Sequence, residues 1–287
     1  MQHPEKWRKT VDPFSLPYKC FELKRILGYP HAGNDVFHAE GIYRGETVRA
    51  YIKAARQSGA NIENEVFVLS QLSRLDPLIF PTVIDFGFEG VPFSVTLELA
   101  GERLSNIVGD NADMRSMRYL FEYGRTLAKL HGMKINEAKP VADRRFFHAP
   151  SAELLSKLGL SSLQTLFEKE LPNATKCFCH GDFHYANILW KDGHISGILD
   201  FELSGIGNRD FDIAWAIFRR PGQRFMKTDD EISEFLRGYS VIGEYNELAV
   251  RRYMAQCYIH FLEFCADDQE YCAFARAWLN SYAAALL

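Results

Sequence analysis

CHGDFHYANILWKDGHISGILDFE, residues 179–202, is the stretch on which the reading of the whole chain turns. Asn187 to Trp190 is apolar, Lys191-Asp192-Gly193 has the composition of a tight turn, and residues 194–201 are rich in strand formers, so the segment predicts a β-hairpin. With Asp192 and Gly193 as the two turn residues, Asn187 falls opposite Ile198 and Asp200 lies two residues further along. Both side chains then project from one face at the open end. An amide oxygen and a carboxylate converging there make a hard-oxygen site with few protein ligands. That set suits Mg²⁺, which retains waters and takes its remaining ligands from phosphate. Asp182, in the loop before the hairpin, brings a second carboxylate nearby, and two such charges repel unless a proton or a cation lies between them. Turn capping explains any one of these residues alone. It does not explain all three in this order.

The bulk properties narrow the partners. The chain has 287 residues, 47% hydrophobic and 14% aromatic, enough for a large core in one two-lobed domain or two small ones. A net charge of −4 gives no electrostatic reason to follow a nucleic-acid backbone. No apolar run approaches the roughly 20 residues that cross a bilayer, and the first residues lack an apolar signal core. The expectation is therefore a cytoplasmic protein with no nucleic-acid or membrane partner. The six cysteines have no framework spacing and read as reduced thiols. Cys177-x-Cys179-His180 with His184 resembles a zinc fragment, but no second ligand pair is positioned nearby, and Cys-x-Cys on a strand places two small apolar groups on one face.

No repeat is present at periods of about 20 to 50 residues. Alternating stretches at 18–27, 35–43, 47–54, 82–88 and 93–99, separated by glycine-containing turns, predict an antiparallel sheet. One helix interrupts it, with Ile62, Val66, Leu69, Leu72 and Leu75 at helical spacing after Asn61 as cap. From Leu104 onward the helical period dominates. A helix ends at His131-Gly132, with the glycine expected to close it in the left-handed conformation. Others are expected at 152–158, 163–171, 211–218, 230–239, and from 247 to the end with a break at Asp267-Asp268. The fold class is α+β: a small antiparallel-sheet lobe with one helix over 1–96, a connector over 97–101, and a larger, mainly helical lobe over 102–287.

The small lobe carries its own chemistry. On 47–54, Val48, Ala50 and Ile52 face one way while Arg49, Tyr51 and Lys53 face the other. Glu65 shares a helix face with Ile62, Leu69 and Leu72. A carboxylate at the border of a buried stripe needs a partner, and Lys53 is the natural one. Glu63, on another face, is the weaker candidate. The loop from Gly28 to Asp35 precedes two strands and could cover phosphates through its backbone N–H groups, although it is not G-x-G-x-x-G.

His180-Gly181-Asp182-Phe183-His184-Tyr185-Ala186-Asn187 followed by Ile198-Leu199-Asp200-Phe201-Glu202 resembles the two signature motifs of the aminoglycoside phosphotransferase family, which shares its two-lobed protein-kinase-like fold with choline kinases. The resemblance implies a small-molecule kinase using ATP or GTP. Asp182 would orient the acceptor hydroxyl and take its proton, and Asn187 and Asp200 would hold Mg²⁺. Leu97-Glu98-Leu99-Ala100-Gly101 looks like the hinge whose backbone, at Glu98 and Leu99, binds the nucleotide base. The motif histidine, His180, braces the loop, and His184 is commonly structural. Asp210 and Asp212 match a family stretch whose work is helix capping and loop bracing, and His131 needs no role beyond ending its helix. An aminoglycoside-like acceptor is one expectation, with Glu202, Glu263, Asp267, Asp268 and Glu270 as acids for a cationic substrate. Choline, homoserine, macrolides and sugars are others, and resistance is not separated from metabolism. A catalytically silent nucleotide binder and a metal-dependent hydrolase are the rival classes.

Overall fold

Alternation of buried and half-exposed positions turns the first hundred residues into a sheet. The computed structural model describes residues 9–30, 33–57, 59–171 and 175–284, which fall into two units: residues 1–102 with 187–204, and residues 103–186 with 205–287. In the first unit β1 (Phe21–Gly28), β2 (Asp35–Tyr43), β3 (Glu46–Ala54), β4 (Val83–Gly87) and β5 (Phe93–Leu97) form an antiparallel sheet in the order β1-β2-β3-β5-β4. On β3, Ala50, Ile52 and Ala54 are fully buried and join Phe21, Phe37, Phe93 and Val95 in the core, while Lys53 points to the other face. Buried Asp85 ties the approach to β1 in place, its Oδ2 accepting from the backbone N–H of Lys19, Cys20 and Phe21 at 2.8, 2.7 and 2.9 Å.

Helix α1 (Ile62–Leu75) starts as its sequence predicts, with Asn61 accepting from the Asn64 N–H at 3.3 Å. It buries Ile62, Glu65, Val66, Leu69 and Leu72. The chain leaves this unit through the two-residue strand β6 (Glu102–Arg103).

The second unit holds α2 (Leu104–Val108), α3 (Met117–His131), α4 (Ala152–Lys157), α5 (Gln164–Glu168) and strand β7 (Lys176–Cys179). The hairpin β8 (Ile188–Lys191) and β9 (His194–Ile198) returns to the first unit. After it come β10 (Gly205–Asn208), α6 (Arg209–Ile217), α7 (Asp229–Tyr239), α8 (Glu247–Phe264) and α9 (Gln269–Ala284), with the expected break at Asp267-Asp268. Helix α3 meets α7 backbone to backbone. A Cβ on Gly124 would lie 1.9 Å from the Phe235 carbonyl oxygen, and one on Gly238 would lie 1.9 Å from that of Phe121. Helix α6 is buried from Asp210 to Ile217, its two aspartates included.

Several local expectations are corrected. Gly132 closes α3 at φ −81°, inside the right-handed region, so its value there is not a left-handed turn. Helix α5 ends at Glu168, short of 171, where Lys169 is already extended at φ −68°, ψ 133°. Strand β10 departs from the helical period expected after Leu104: Gly205-Ile206-Gly207-Asn208 pairs antiparallel with β7. The glycines are there because Lys139 and Pro140 pass so close that a Cβ on Gly205 would sit 2.3 Å from the Lys139 carbonyl oxygen. None of the six cysteines is in a disulfide.

Candidate active site

The hairpin turn forms where expected, with Asp192 and Gly193 at φ 52° and 83°, the positive values a two-residue turn demands. The register beyond it differs. Lys191 pairs with His194 and Trp190 with Ile195, but a bulge shifts the next pairs to Leu189 with Gly197 and Ile188 with Ile198. The Leu199 N–H therefore donates to the Asn187 carbonyl at 2.8 Å, and Asn187 faces Leu199 rather than Ile198. Asp200 owes its direction not to strand alternation but to its own left-handed backbone, φ 69°, a conformation aspartate tolerates better than most residues.

The segment 200–204 is fastened onto α1. Glu65 accepts from the Phe201 N–H at 3.2 Å, and the Asn64 side-chain amide donates to the carbonyls of Glu202 and Ser204 at 3.2 and 2.9 Å. The ring of Phe201 meets Phe80 edge-on at 5.8 Å. This anchoring brings three carboxylates to one ammonium: Lys53 Nζ lies 2.5 Å from Asp200, 3.1 Å from Glu65 and 3.5 Å from Glu202. The Lys53–Glu65 pairing read from strand and helix phase is present. Glu202, counted among the acids for a cationic acceptor, instead faces Lys53 and accepts from the Asn34 amide at 2.9 Å.

Burial works against the Lys53 ammonium, but Asp200, Glu65 and Glu202 outweigh it and hold its pKa well above the usual value. Burial and the two other carboxylates push the Glu65 carboxyl up to about 7 against the pull of Lys53. Negative charge thus exceeds positive in this cluster, and its donors are all hard oxygens. The Asp200 carboxylate is a hard-oxygen group of the kind a divalent cation such as Mg²⁺ takes, and the backbone carbonyl of Asn187 meets the Leu199 N–H one residue before it.

Of the nucleotide candidates, Glu98 donates its backbone N–H to the Arg49 carbonyl at 3.1 Å, and its carboxylate lies 3.0 Å from His38 Nε2. Leu99 is half-buried, its methyl near Gly197. The glycine-containing loop is described except at 31–32, which fall outside the described residues. Gly33 has φ 92°, and Asn34 accepts from the Arg56 N–H at 3.3 Å.

Asp182 lies in the second unit, in a setting the sequence did not announce. Trp215 Nε1 donates to its Oδ1 at 2.7 Å, Arg144 Nη1 reaches the same oxygen at 3.4 Å, and His184 Nε2 is 3.6 Å from Oδ2. The guanidinium of Arg144 stacks on the Trp215 ring at 4.3 Å and also donates to the Gly181 carbonyl. The guanidinium of Arg220 stacks on the same indole at 4.8 Å and donates to the Trp215 carbonyl at 2.8 Å. Burial would raise the Asp182 carboxyl, but the His184 hydrogen bond and the charges of His184, Arg144 and Arg220 hold it well below the carboxylate range.

The loop itself is braced by Asp212, whose two oxygens accept from the N–H groups of His180 and Gly181 at 2.9 and 3.0 Å. Bracing is therefore Asp212's work, while the cap of α6 is Asn208 rather than either aspartate. His131 does more than end a helix: its ring joins Asp212 at 3.2 Å to the Tyr239 hydroxyl at 2.7 Å. Cys177 and Cys179 gather beside it with ligand atoms within 4.8 Å, yet both ring nitrogens are already engaged.

A five-stranded antiparallel sheet with one helix, followed by a mainly helical part, is the arrangement of protein-kinase-like phosphotransferases, and solved structures of that class superpose on this chain. Aminoglycoside phosphotransferase APH(4)-Ia matches at a TM-score of 0.61 with 13% identity, covering 91% of this chain and 94% of the other. The streptomycin-ATP-APH(2")-IIa ternary complex matches at 0.56 with 16% identity, over 90% and 92%. Macrolide 2'-phosphotransferase MphH from Brachybacterium faecium matches at 0.52 with 16% identity, over 91% and 94%. No curated protein matches by sequence. Residues 37–251 match the model of the phosphotransferase enzyme family, so the chain belongs to that family and is a phosphotransferase. Among the described residues no helix is long and apolar enough to cross a membrane.

Proposed function

We propose that this phosphotransferase moves the γ-phosphoryl group of ATP or GTP to a hydroxyl of a small acceptor. The observation that carries the reading is the Lys53 ammonium held by Glu65 and Asp200 at 3.1 and 2.5 Å. A lysine so pinned is pre-aimed to meet the α- and β-phosphates. Nucleotides in the solved neighbours, ADP and AMP-PNP beside hygromycin B and ATP beside streptomycin, support a nucleoside triphosphate as donor.

Phosphoryl transfer through a loose transition state needs alignment and charge neutralisation more than covalent help. Asp182, ionised and fixed by Trp215, accepts the hydrogen bond of the acceptor hydroxyl, orients it and takes its proton late, since so weak a base gains nothing by early removal. Asn187 and Asp200 are the residues that would hold Mg²⁺. Bound there, the ion would offset charge on the β- and γ-phosphates. Only four residues separate Asp182 from Asn187, a tether of at most about 18 Å. The Glu98 and Leu99 backbone would receive the base. We place the nucleotide lobe at 1–96, the hinge at 97–101 and the acceptor lobe at 102–287, in a cytoplasmic enzyme. The test is calorimetry with AMP-PNP with and without Mg²⁺, then ADP or GDP release with a panel of hydroxylated amines, antibiotics and sugars. Metal-dependent binding followed by acceptor-dependent release is expected, and a chain that binds no nucleotide ends the reading.

A further inference from the structure

Three of the acids expected to greet a cationic acceptor in the helical unit, Glu263, Asp268 and Glu270, are already engaged. Glu263 pairs with Arg145 at 2.5 Å and with Lys157 at 3.1 Å, Glu270 pairs with Arg219 at 2.9 Å, and Asp268 caps α9 by accepting from the Tyr271 N–H at 3.0 Å. Around Asp182 the balance runs the other way, for one carboxylate faces two guanidinium groups. Asp212 does not redress this, because its oxygens are committed to two backbone N–H groups and His131.

Both arginines keep unused donors. Arg144 directs two of its five N–H groups to Asp182 and the Gly181 carbonyl, and its Nε has no partner. Its contact with Asp182 is a single long one of 3.4 Å, not the two-pronged fork that arginine and carboxylate prefer. Arg220 is 8% exposed, and its Nη1 is buried without a partner. A guanidinium left short of acceptors in a buried setting is costly unless a further anion completes it. Arg144 is the more accessible of the two, its side chain 18% exposed, as is that of Asp182.

We infer that the acceptor carries an anionic group, a carboxylate or a phosphate, near the hydroxyl that receives the phosphoryl group, and that Arg144 recognises it. The inference rests on the phosphotransferase reading of Asp182. A polycation at Asp182 is opposed by the charge of Arg144, 3.4 Å from the carboxylate. An anion instead supplies the missing oxygens to a fork already stacked against Trp215 and Phe147. Recognition by Arg144 also draws that guanidinium off Asp182, leaving the carboxylate to Trp215, His184 and the incoming hydroxyl.

The test uses the full chain saturated with Mg²⁺ and AMP-PNP, titrated calorimetrically with malonate, inorganic phosphate, glycerol and kanamycin. Saturable binding of malonate or phosphate, at least tenfold tighter than kanamycin or glycerol, is expected, and the two anions show which oxygen geometry fits. Arg144→Gln weakens the anion at least tenfold while leaving AMP-PNP binding unchanged, whereas Arg145→Gln, which removes contacts with Glu263, His260 and the Phe264 ring but none with Asp182, leaves both intact. Kanamycin binding tighter than either anion, no saturable anion binding, or anion binding indifferent to Arg144→Gln overturns the inference. If Arg144→Gln does not fold, the wild-type ranking decides alone. Failure to bind AMP-PNP at all sinks the kinase reading instead, so the two failures are distinct.

Discussion

Asp182 and Glu65 are both buried carboxyls, and their surroundings drive them in opposite directions. At Asp182 the cations and the indole N–H win over burial, so its folded pKa lies below the unfolded value of about 4. The stabilisation is complete above about pH 4 and disappears only as acidity passes through the folded value. The stability difference between wild type and Asp182→Asn should therefore stay constant from pH 5 to 8 in urea titrations and shrink below about pH 4. In activity, the same variant should lower kcat by at least about a hundredfold with AMP-PNP affinity unchanged. Wild-type-like turnover removes Asp182 from the mechanism. Glu65 has the reverse sign. Its carboxyl is raised to about 7, so its contribution is full below the unfolded value and is lost as pH rises through 7. In thermal melts without nucleotide or metal, the wild type should lose several degrees between about pH 5 and 8, and Glu65→Gln should not. Equal slopes for the two proteins would contradict the charge balance drawn around Lys53.

Helices α3 and α7 approach so closely that glycine is the only residue the seam admits. Gly238→Ala puts a methyl on the Phe121 carbonyl and has to part the helices, at a cost of about 1 to 3 kcal/mol in urea unfolding. An unchanged midpoint would mean that the seam is looser than its geometry shows. At this scale much was legible. The bounds of β2, the start of α1 and the break between α8 and α9 follow from apolar period and capping residues, because local physics alone determines them. The hairpin register was not, because the bulge between Leu189 and Trp190 leaves no mark in composition. Strand β10 was hidden for a related reason: its glycines serve the nearby backbone of Lys139, which lies far off in sequence.

For the whole molecule, the chain passes between its two units at 102/103, 186/187 and 204/205. The motif residues Asp182 and Asn187 therefore belong to different units although four residues separate them. That motif was readable because it is contiguous. Arg144, Trp215 and Arg220 were not, since they act on Asp182 from two stretches distant from it in sequence, one at 144 and one at 215–220. Binding of Mg²⁺ and AMP-PNP at a hundred times Kd should add about 2.7 kcal/mol to stability, and Asp200→Ala should abolish the metal-dependent share, readable as a lost rise in Tm. An equal rise without Asp200 would move the metal elsewhere. The indole of Trp215, with two guanidinium groups against its ring and a hydrogen bond to the carboxylate at the centre of the proposed chemistry, gives the protein a built-in optical gauge. Its emission should change colour or intensity when an acceptor rearranges those charges, and Trp215→Phe should silence the signal, so occupancy can be followed in real time without a label.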